Sequence, residues 1–294
     1  MTARETTPEV PSEVRAAARR GEPDRYLAAT LAAPSARPAL VAIAAFSAEL
    51  ARIPASVSED MLGQIKLQWW RDALAQGQRG TLSGHPVADA VVAAALRHTL
   101  SPELLTAMID AREQDLAGEM PPDQAGFEAY LEATEGAAFR LALAVLGARR
   151  AEDRSLATLA GLAYGTARVL ARLPLLLRGN GFPLPADRLW AAGFDAKQWP
   201  ALSKTGQDAD TGREAEAARR LREGLQAGAQ AAHAKVRARC RSLPRTVRPA
   251  LLPLVMVEPY FRAQSGRSHL ATAPDASPLG RVLRIGTAHL TGRI

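Results

Sequence analysis

The chain is predicted to be all-α, and three observations carry that prediction. Apolar residues recur at three- and four-residue spacing through most of the 294 residues, and no stretch alternates apolar with polar residues as a half-buried strand would. No repeat of fixed period is present. Proline, glycine and capping residues fall at the ends of the periodic stretches, where helices start and stop.

Taken in order, residues 1–21 mix Glu, Arg, Thr and Pro without the apolar run of a secretory leader, and they read as a flexible tail. A helix opens at Asp24 and runs through Leu31. The turn around Pro34 leads into a helix from Ala39, with Pro38 in its first turn and Pro54 at its end. Residues 61–75 carry Leu62, Ile65 and Trp69 at helical spacing, and residues 77–84 read as a polar loop. His85-Pro86 precedes an alanine-rich helix to His98. Ser101 and Pro102 supply an N-cap and a first-turn proline for the next helix, whose stripe is Leu105, Met108, Ile109, Arg112 and Leu116.

Residues 127–147 read as one helix with a soft centre at Glu135-Gly136. A long helix covers residues 155–177, Gly179-Asn180-Gly181 breaks it, and an extended segment at 182–187 leads to a short helix. Residues 204–212 read as a loop, 214–241 as a charged alanine-rich helix and 250–262 as a last buried helix. Residues 22–263 form the expected domain, and 264–294 a second tail. The basic, partly apolar stretch at 277–294 fits docking on an anionic membrane or a partner, a last packing segment, or a disordered end.

Lys and Arg total 37 against 30 Asp and Glu, a formal charge of +7. No Lys/Arg run is interleaved with aromatics, so nucleic acid is not an expected partner. The single cysteine, Cys240, excludes an internal disulfide framework and suits a reducing compartment. No window approaches the ~20 apolar residues of a membrane span, so a cytoplasmic chain with at most peripheral membrane contact is expected. The five histidines make no ligand pair at i,i+3 or i,i+4, and no Gly-x-Ser-x-Gly elbow or phosphate loop is present. Zinc, hydrolase, ATPase and dinucleotide chemistry therefore fall away.

A family resemblance rests on Tyr26-Leu27, Ala45-Phe46, Gln68-Trp69-Trp70-Arg71-Asp72, His85-Pro86-Val87, residues 109–116, Tyr130 ahead of Glu135-Gly136, Arg172, Leu184-Pro185-Ala186-Asp187 and Leu243-Pro244. In order and spacing these resemble the squalene/phytoene synthases over residues 22–263. The resemblance implies the isoprenoid synthase fold, a helical bundle around a central cavity. It also implies two aspartate clusters on facing helices, where carboxylates four residues apart hold magnesium against a diphosphate leaving group.

Aligned on Ala45-Phe46, the first cluster falls on Ala51, Arg52 and Ala55. The second falls on Val169, Leu173 and Leu176 or Leu177, with Pro174 inside the segment. Exchanging a carboxylate for Arg52 reverses an interaction of roughly 4 kcal/mol per nearby unit charge at an effective dielectric near 20. Neither a catalytic residue nor a metal ligand is therefore assigned, and no cofactor is expected; magnesium belongs to the enzymatic alternative alone.

Arg52, Arg168 and Arg172 read either as direct anion ligands or as partners of local carboxylates such as Glu49. Asp110, with Glu113 on the same face, reads as a cavity contact or as an arginine-paired surface, and Tyr26 and Gln68 are ligand candidates by the resemblance. One of Trp69 and Trp70 is expected in the core and the other between helices; Tyr26, Phe46, Tyr130, Phe139 and Tyr164 are expected mostly in the core, with at most one or two facing the cavity.

Ala45-Phe46-Ser47-Ala48-Glu49-Leu50-Ala51 and Ser56-Val57-Ser58-Glu59 are similar to the synthase-like assembly factors of respiratory complex I. That resemblance implies a non-catalytic protein binding an isoprenoid-like lipid or a respiratory-complex partner, in the cytoplasm or peripherally at the inner membrane. The competing expectation is a prenyltransferase condensing two isoprenoid diphosphates. An aspartate pair entering the cavity would favour the enzyme, and an aliphatic cavity around Ala51, Val169 and Leu173 the binder.

Overall fold

Helix α3 (Arg37–Arg52) is the axis of the N-terminal half. Its residues from Ala39 to Ala48 are buried without a polar side, as suits a helix surrounded by other helices. Packed around it are α1 (Ser12–Gly21), α2 (Pro23–Thr30), α5 (Pro86–His98), α6 (Pro102–Ala117) and α8 (Ala137–Val145). The computed structural model describes residues 10–57, 59–172, 184–193, 213–264 and 276–294.

The predicted stops and starts hold where proline and the caps set them. Pro54 turns the end of α3 into a 3-10 turn, Pro54–Ser56. Ser101 Oγ accepts from the Leu104 amide at 3.3 Å at the start of α6, and His85 Nδ1 accepts from Ala88 at the start of α5. The soft centre at Glu135-Gly136 is a π-helical turn, Glu132–Gly136, between α7 (Gln124–Leu131) and α8.

The C-terminal half is built around α9 (Ala151–Ala171). Against it lie the π turn, α8, α11 (Arg213–Cys240) and α12 (Val257–Gln264), while the short α10 (Ala186–Ala191) contributes Leu189 to the same core. The two large cores meet at α8, where Phe139 and Leu143 face the C-terminal one and Ala138 and Leu141 the N-terminal one. Among the described residues every regular element is helical.

Four expectations are corrected. The segment expected as a flexible N-terminal tail carries α1, which packs on α3 through Val14, Ala17 and Ala18; two of those three are alanines, so the apolar stripe is faint in the sequence. Helix α4 (Asp60–Gln78) continues past Gly77, which the sequence places in a loop. A Cβ there would meet Val92 Cγ2 at 2.5 Å, so Gly77 is what lets α4 approach α5. The last buried helix begins as a 3-10 segment, Arg248–Met256, because Pro249 and Pro253 lack amide donors and Pro253 would clash in an α-helix.

The C-terminal stretch expected as a tail holds α13 (Pro278–Thr291), capped by Ser277. Arg281, Ile285 and Ala288 bury one face, the last two beside Ala28 and Leu252. The packing reading of this stretch holds for that buried face. Leu173, Pro174, Leu176, Leu177, Gly179-Asn180-Gly181 and the 204–212 loop lie outside the described residues.

Candidate functional site

The first turn of α2 puts three charged groups inside the protein: Glu22, Asp24 and Arg25 are each less than a tenth exposed. Charges at that depth persist only when paired. Arg25 donates to Glu22 Oε2 at 2.8 Å and to Glu135 Oε2 at 2.6 Å. Arg168, on α9, donates to Glu22 Oε1 at 2.7 Å and to Glu135 Oε1 at 2.9 Å. Two guanidiniums and two carboxylates thus close into a four-membered box linking α2, the π turn and α9.

Packing places the corners. A Cβ on Gly161 would stand 2.5 Å from the Gly136 nitrogen, so α9 and the π turn touch backbone to backbone. That approach brings Glu135 to Arg168. The Arg25 guanidinium lies 5.0 Å from the Phe139 ring centre and 5.1 Å from that of Tyr164, with Arg168 5.4 Å from the latter. Burial by itself would raise the Glu135 carboxyl, but Arg168 and Arg25 outweigh it and hold the group at about 2. Both arginines are raised in turn: burial opposes their charge, and the two glutamates overcome it.

Asp24 anchors a second cluster. Its Oδ2 accepts from the hydroxyls of Tyr164 at 2.8 Å and Tyr260 at 2.6 Å, and its Oδ1 pairs with Arg281 Nε at 2.5 Å. Burial, then the Asp24 charge, raises both phenols. A third cluster joins Arg112 to Asp115 at 2.8 Å and to the Tyr130 hydroxyl at 2.9 Å.

Arg168 also reaches a pocket of about 980 Å³ formed by α1, α3, α9, α12 and α13. Arg52, Arg168 and Arg172 line it together, with Ala51 and Ala55 between them. Glu49 is the one carboxylate among the described lining residues, and it is bound to Arg52 at 2.7 Å. Burial lowers the Arg172 guanidinium, and the nearby charges of Arg168 and Arg112 lower it further.

These residues do not fit a magnesium ion, which takes oxygen ligands, chiefly carboxylates. Among the described residues no group of three or more His, Cys, Asp or Glu side chains is placed to hold a metal.

The described wall of the pocket carries no aspartate pair; Ala51 lines it with other alanines among the arginines, and Leu173 lies outside the described residues. Val169 is buried in the C-terminal core. Asp110 and Gln68 stand elsewhere, on an open depression of about 750 Å³ between α4 and α6. There Arg71 binds Asp110 at 2.6 Å and Glu113 at 2.7 Å, while Gln68 donates to Asp72. Tyr26 packs half-buried against the N-terminal core and lines neither depression. Trp70 is buried edge-on to Phe46 at 5.3 Å, while Trp69 is 40% exposed beside His85.

Sequence reasoning missed Glu22, Asp24, Arg25, Tyr260 and Arg281. One signal was available: Asp24 and Arg25 share a helical face with Ala28 and Ala29, and all four are buried. Charged residues continuing an apolar stripe mark a buried pair.

This all-helical arrangement is the isoprenoid synthase fold. A dehydrosqualene synthase solved in complex with ligand superposes with a TM-score of 0.74, covering 95% of this chain and 94% of that one at 14% identity. Squalene synthase HpnC from Alicyclobacillus acidocaldarius superposes at 0.66, covering 95% and 92% at 16% identity. At such identities the likeness is one of fold.

The chain belongs to the squalene/phytoene synthase family, whose profile matches residues 18–274. Among its relatives is NADH dehydrogenase (ubiquinone) complex I, assembly factor 6, of Bos taurus, 28% identical over 247 residues that make up 83% of this chain and 70% of the relative. Among the described residues no helix is long and apolar enough to cross a membrane.

Proposed function

We propose that this chain is a non-catalytic member of its family that supports the assembly of respiratory complex I by binding, not by condensing isoprenoid diphosphates. The observation that carries this reading is the pocket wall at Ala51, Arg52 and Ala55, where the resemblance calls for the first metal-holding cluster and the side chains are two methyls and a guanidinium, with Arg168 and Arg172 beside them. The likeness to the bovine assembly factor over most of this chain supports the same reading.

The test incubates purified, folded protein with farnesyl and geranylgeranyl diphosphate, with and without magnesium, and measures diphosphate release. No turnover above the protein-free control is expected. Magnesium-dependent release at about 1 s⁻¹ or faster, the ordinary enzyme range, would overturn the reading. In the source organism, deleting the gene is expected to lower assembled complex I, and the intact chain to restore it.

A further inference from the structure

Two helices carry an exposed apolar stripe. On α4, Met61, Ile65 and Trp69 follow one another at four-residue spacing with Leu62 beside them, so all four stand on one side, 40 to 68% exposed. On α13, Leu279, Leu283 and Leu290 share one side with Val282, 48 to 85% exposed. Leu82, Leu96 and Trp190 are exposed as well, but among the described residues they form no stripe, as is ordinary for scattered apolar residues on a surface.

For α13 this is a second apolar side. Its first holds Ile285 and Ala288 beside Ala28 and Leu252, and Arg281 ties the helix to Asp24 at 2.5 Å, so the outer leucines cannot turn inward. A helix apolar on two sides belongs between two layers, and the body of the protein supplies one of them. Helix α4 is likewise seated, on α5 and α6, and beside its stripe the depression of about 750 Å³ leaves an open groove of the kind that receives a third helix.

The surroundings of the two stripes carry opposite charge. Around the α4 groove stand Asp72, Asp110, Glu113 and Glu119 against Lys66 and Arg71, an excess of acid in a chain whose formal charge is +7. Residues 276–294 hold no Asp or Glu, and Arg284 and Arg293 are exposed there. Shape agrees with sign: Gly286 interrupts the α13 stripe with nothing within 4 Å of where a Cβ would stand, a notch for a large side chain, and Trp69 is the largest on the α4 stripe.

We propose that α13 of one copy of this chain docks in the groove between α4 and α6 of a second copy. Its leucines lie on Met61, Ile65 and Trp69, and its arginines face Asp110, Glu113 and Glu119. Made once, such a contact is small beside the roughly 1,600 Å² of a standard interface. Made twice about a two-fold axis, each copy giving its α13 and receiving the other's, it closes a dimer and leaves neither stripe in water.

The experiment is sedimentation velocity on the full chain from roughly 1 to 200 μM, a range that spans micromolar association. Ile65→Glu and Leu283→Glu each place a charge in one stripe; both side chains are exposed, and thermal denaturation checks that each variant stays folded. Leu96→Glu, on α5, is the control. A concentration-dependent dimer is expected for the parent and the control, weakened at least tenfold in each single variant. Mixing the two variants is expected to restore a dimer, weaker than the parent's, because α13 of the Ile65→Glu chain still fits the groove of the Leu283→Glu chain.

A parent that stays monomeric throughout the range overturns the proposal. So does a dimer lost in only one of the two variants or in neither, or a mixture that associates no better than its parts, since other faces would then be pairing. Flotation of a monomeric chain with phosphatidylglycerol vesicles, abolished by Leu283→Glu, gives the α13 stripe to lipid and overturns it as well.

Discussion

Glu135 and Arg168 meet at 2.9 Å because the backbones behind them are in contact, Gly161 of α9 lying against Gly136 of the π turn. The ion pair is thus a product of packing, and the packing can be tested directly. Gly161→Ala brings a methyl within 2.6 Å of Gly136 Cα and must push α9 away. Against the gain in helix propensity, a net loss of about 1–3 kcal/mol is expected in chemical denaturation. A variant as stable as the parent would show that the contact yields freely.

The box predicts acid sensitivity. Glu135 stands at about 2 in the folded protein against an ordinary 4.5, so the folded state binds fewer protons than the unfolded state between those values. Its contribution is complete above about pH 5 and is lost as pH falls toward 2. Glu135→Gln is expected to destabilise by roughly 3–5 kcal/mol at neutral pH, since it strands buried guanidinium charge, and to flatten this part of the pH profile. A profile of unchanged steepness in the variant would assign the acid response to other carboxylates.

Glu135→Gln and Arg168→Met together are expected to cost less than the sum of the two single changes. Removing both charges leaves no unpaired ion between them, and the double-mutant cycle measures the coupling. Strict additivity would mean that the two side chains do not interact.

Phenol ionisation offers an independent measure. Tyr130, Tyr164 and Tyr260 are each raised, chiefly by burial, so a spectrophotometric titration of the native protein to about pH 11 is expected to leave these three phenols protonated. Asp24→Asn removes the carboxylate charge that both Tyr164 and Tyr260 face, and brings their ionisation down. Early titration of all the tyrosines in the native parent would contradict the buried clusters.

By contrast, Arg71→Ala is expected to change stability by less than about 1 kcal/mol. Its partners Asp110 and Glu113 are about half exposed, and such pairs are screened by water and salt.

The helices were legible where periodicity is strong and punctuation sharp, as at Ser101-Pro102 and Pro54, and even the irregular turn at Glu135-Gly136 left a mark. Helix α1 was not, because alanine carries most of its buried stripe and alanine is frequent everywhere in this chain. Of the site, Arg52 was legible as a cation standing where a resemblance called for an acid, and Arg168 and Arg172 as arginines four residues apart on the facing helix. The box was not: Glu22 and Glu135 lie far apart in sequence, and a pair written across three elements has no local spacing to betray it. Gln68 was drawn in by the resemblance, and tertiary packing sends it with Asp110 to a different face, where Asp110 takes the arginine-paired reading open to it.

The pairing of Asp24 with Arg281 joins α2 to α13, more than 250 residues further along the chain. A ribosome delivers Asp24 long before its cation exists, so the nascent chain carries an acid at a position that cannot close dry. The corner between α2 and α13 is therefore completed only once α13 has been made, and a chain cut before α13 leaves Asp24 without that cation.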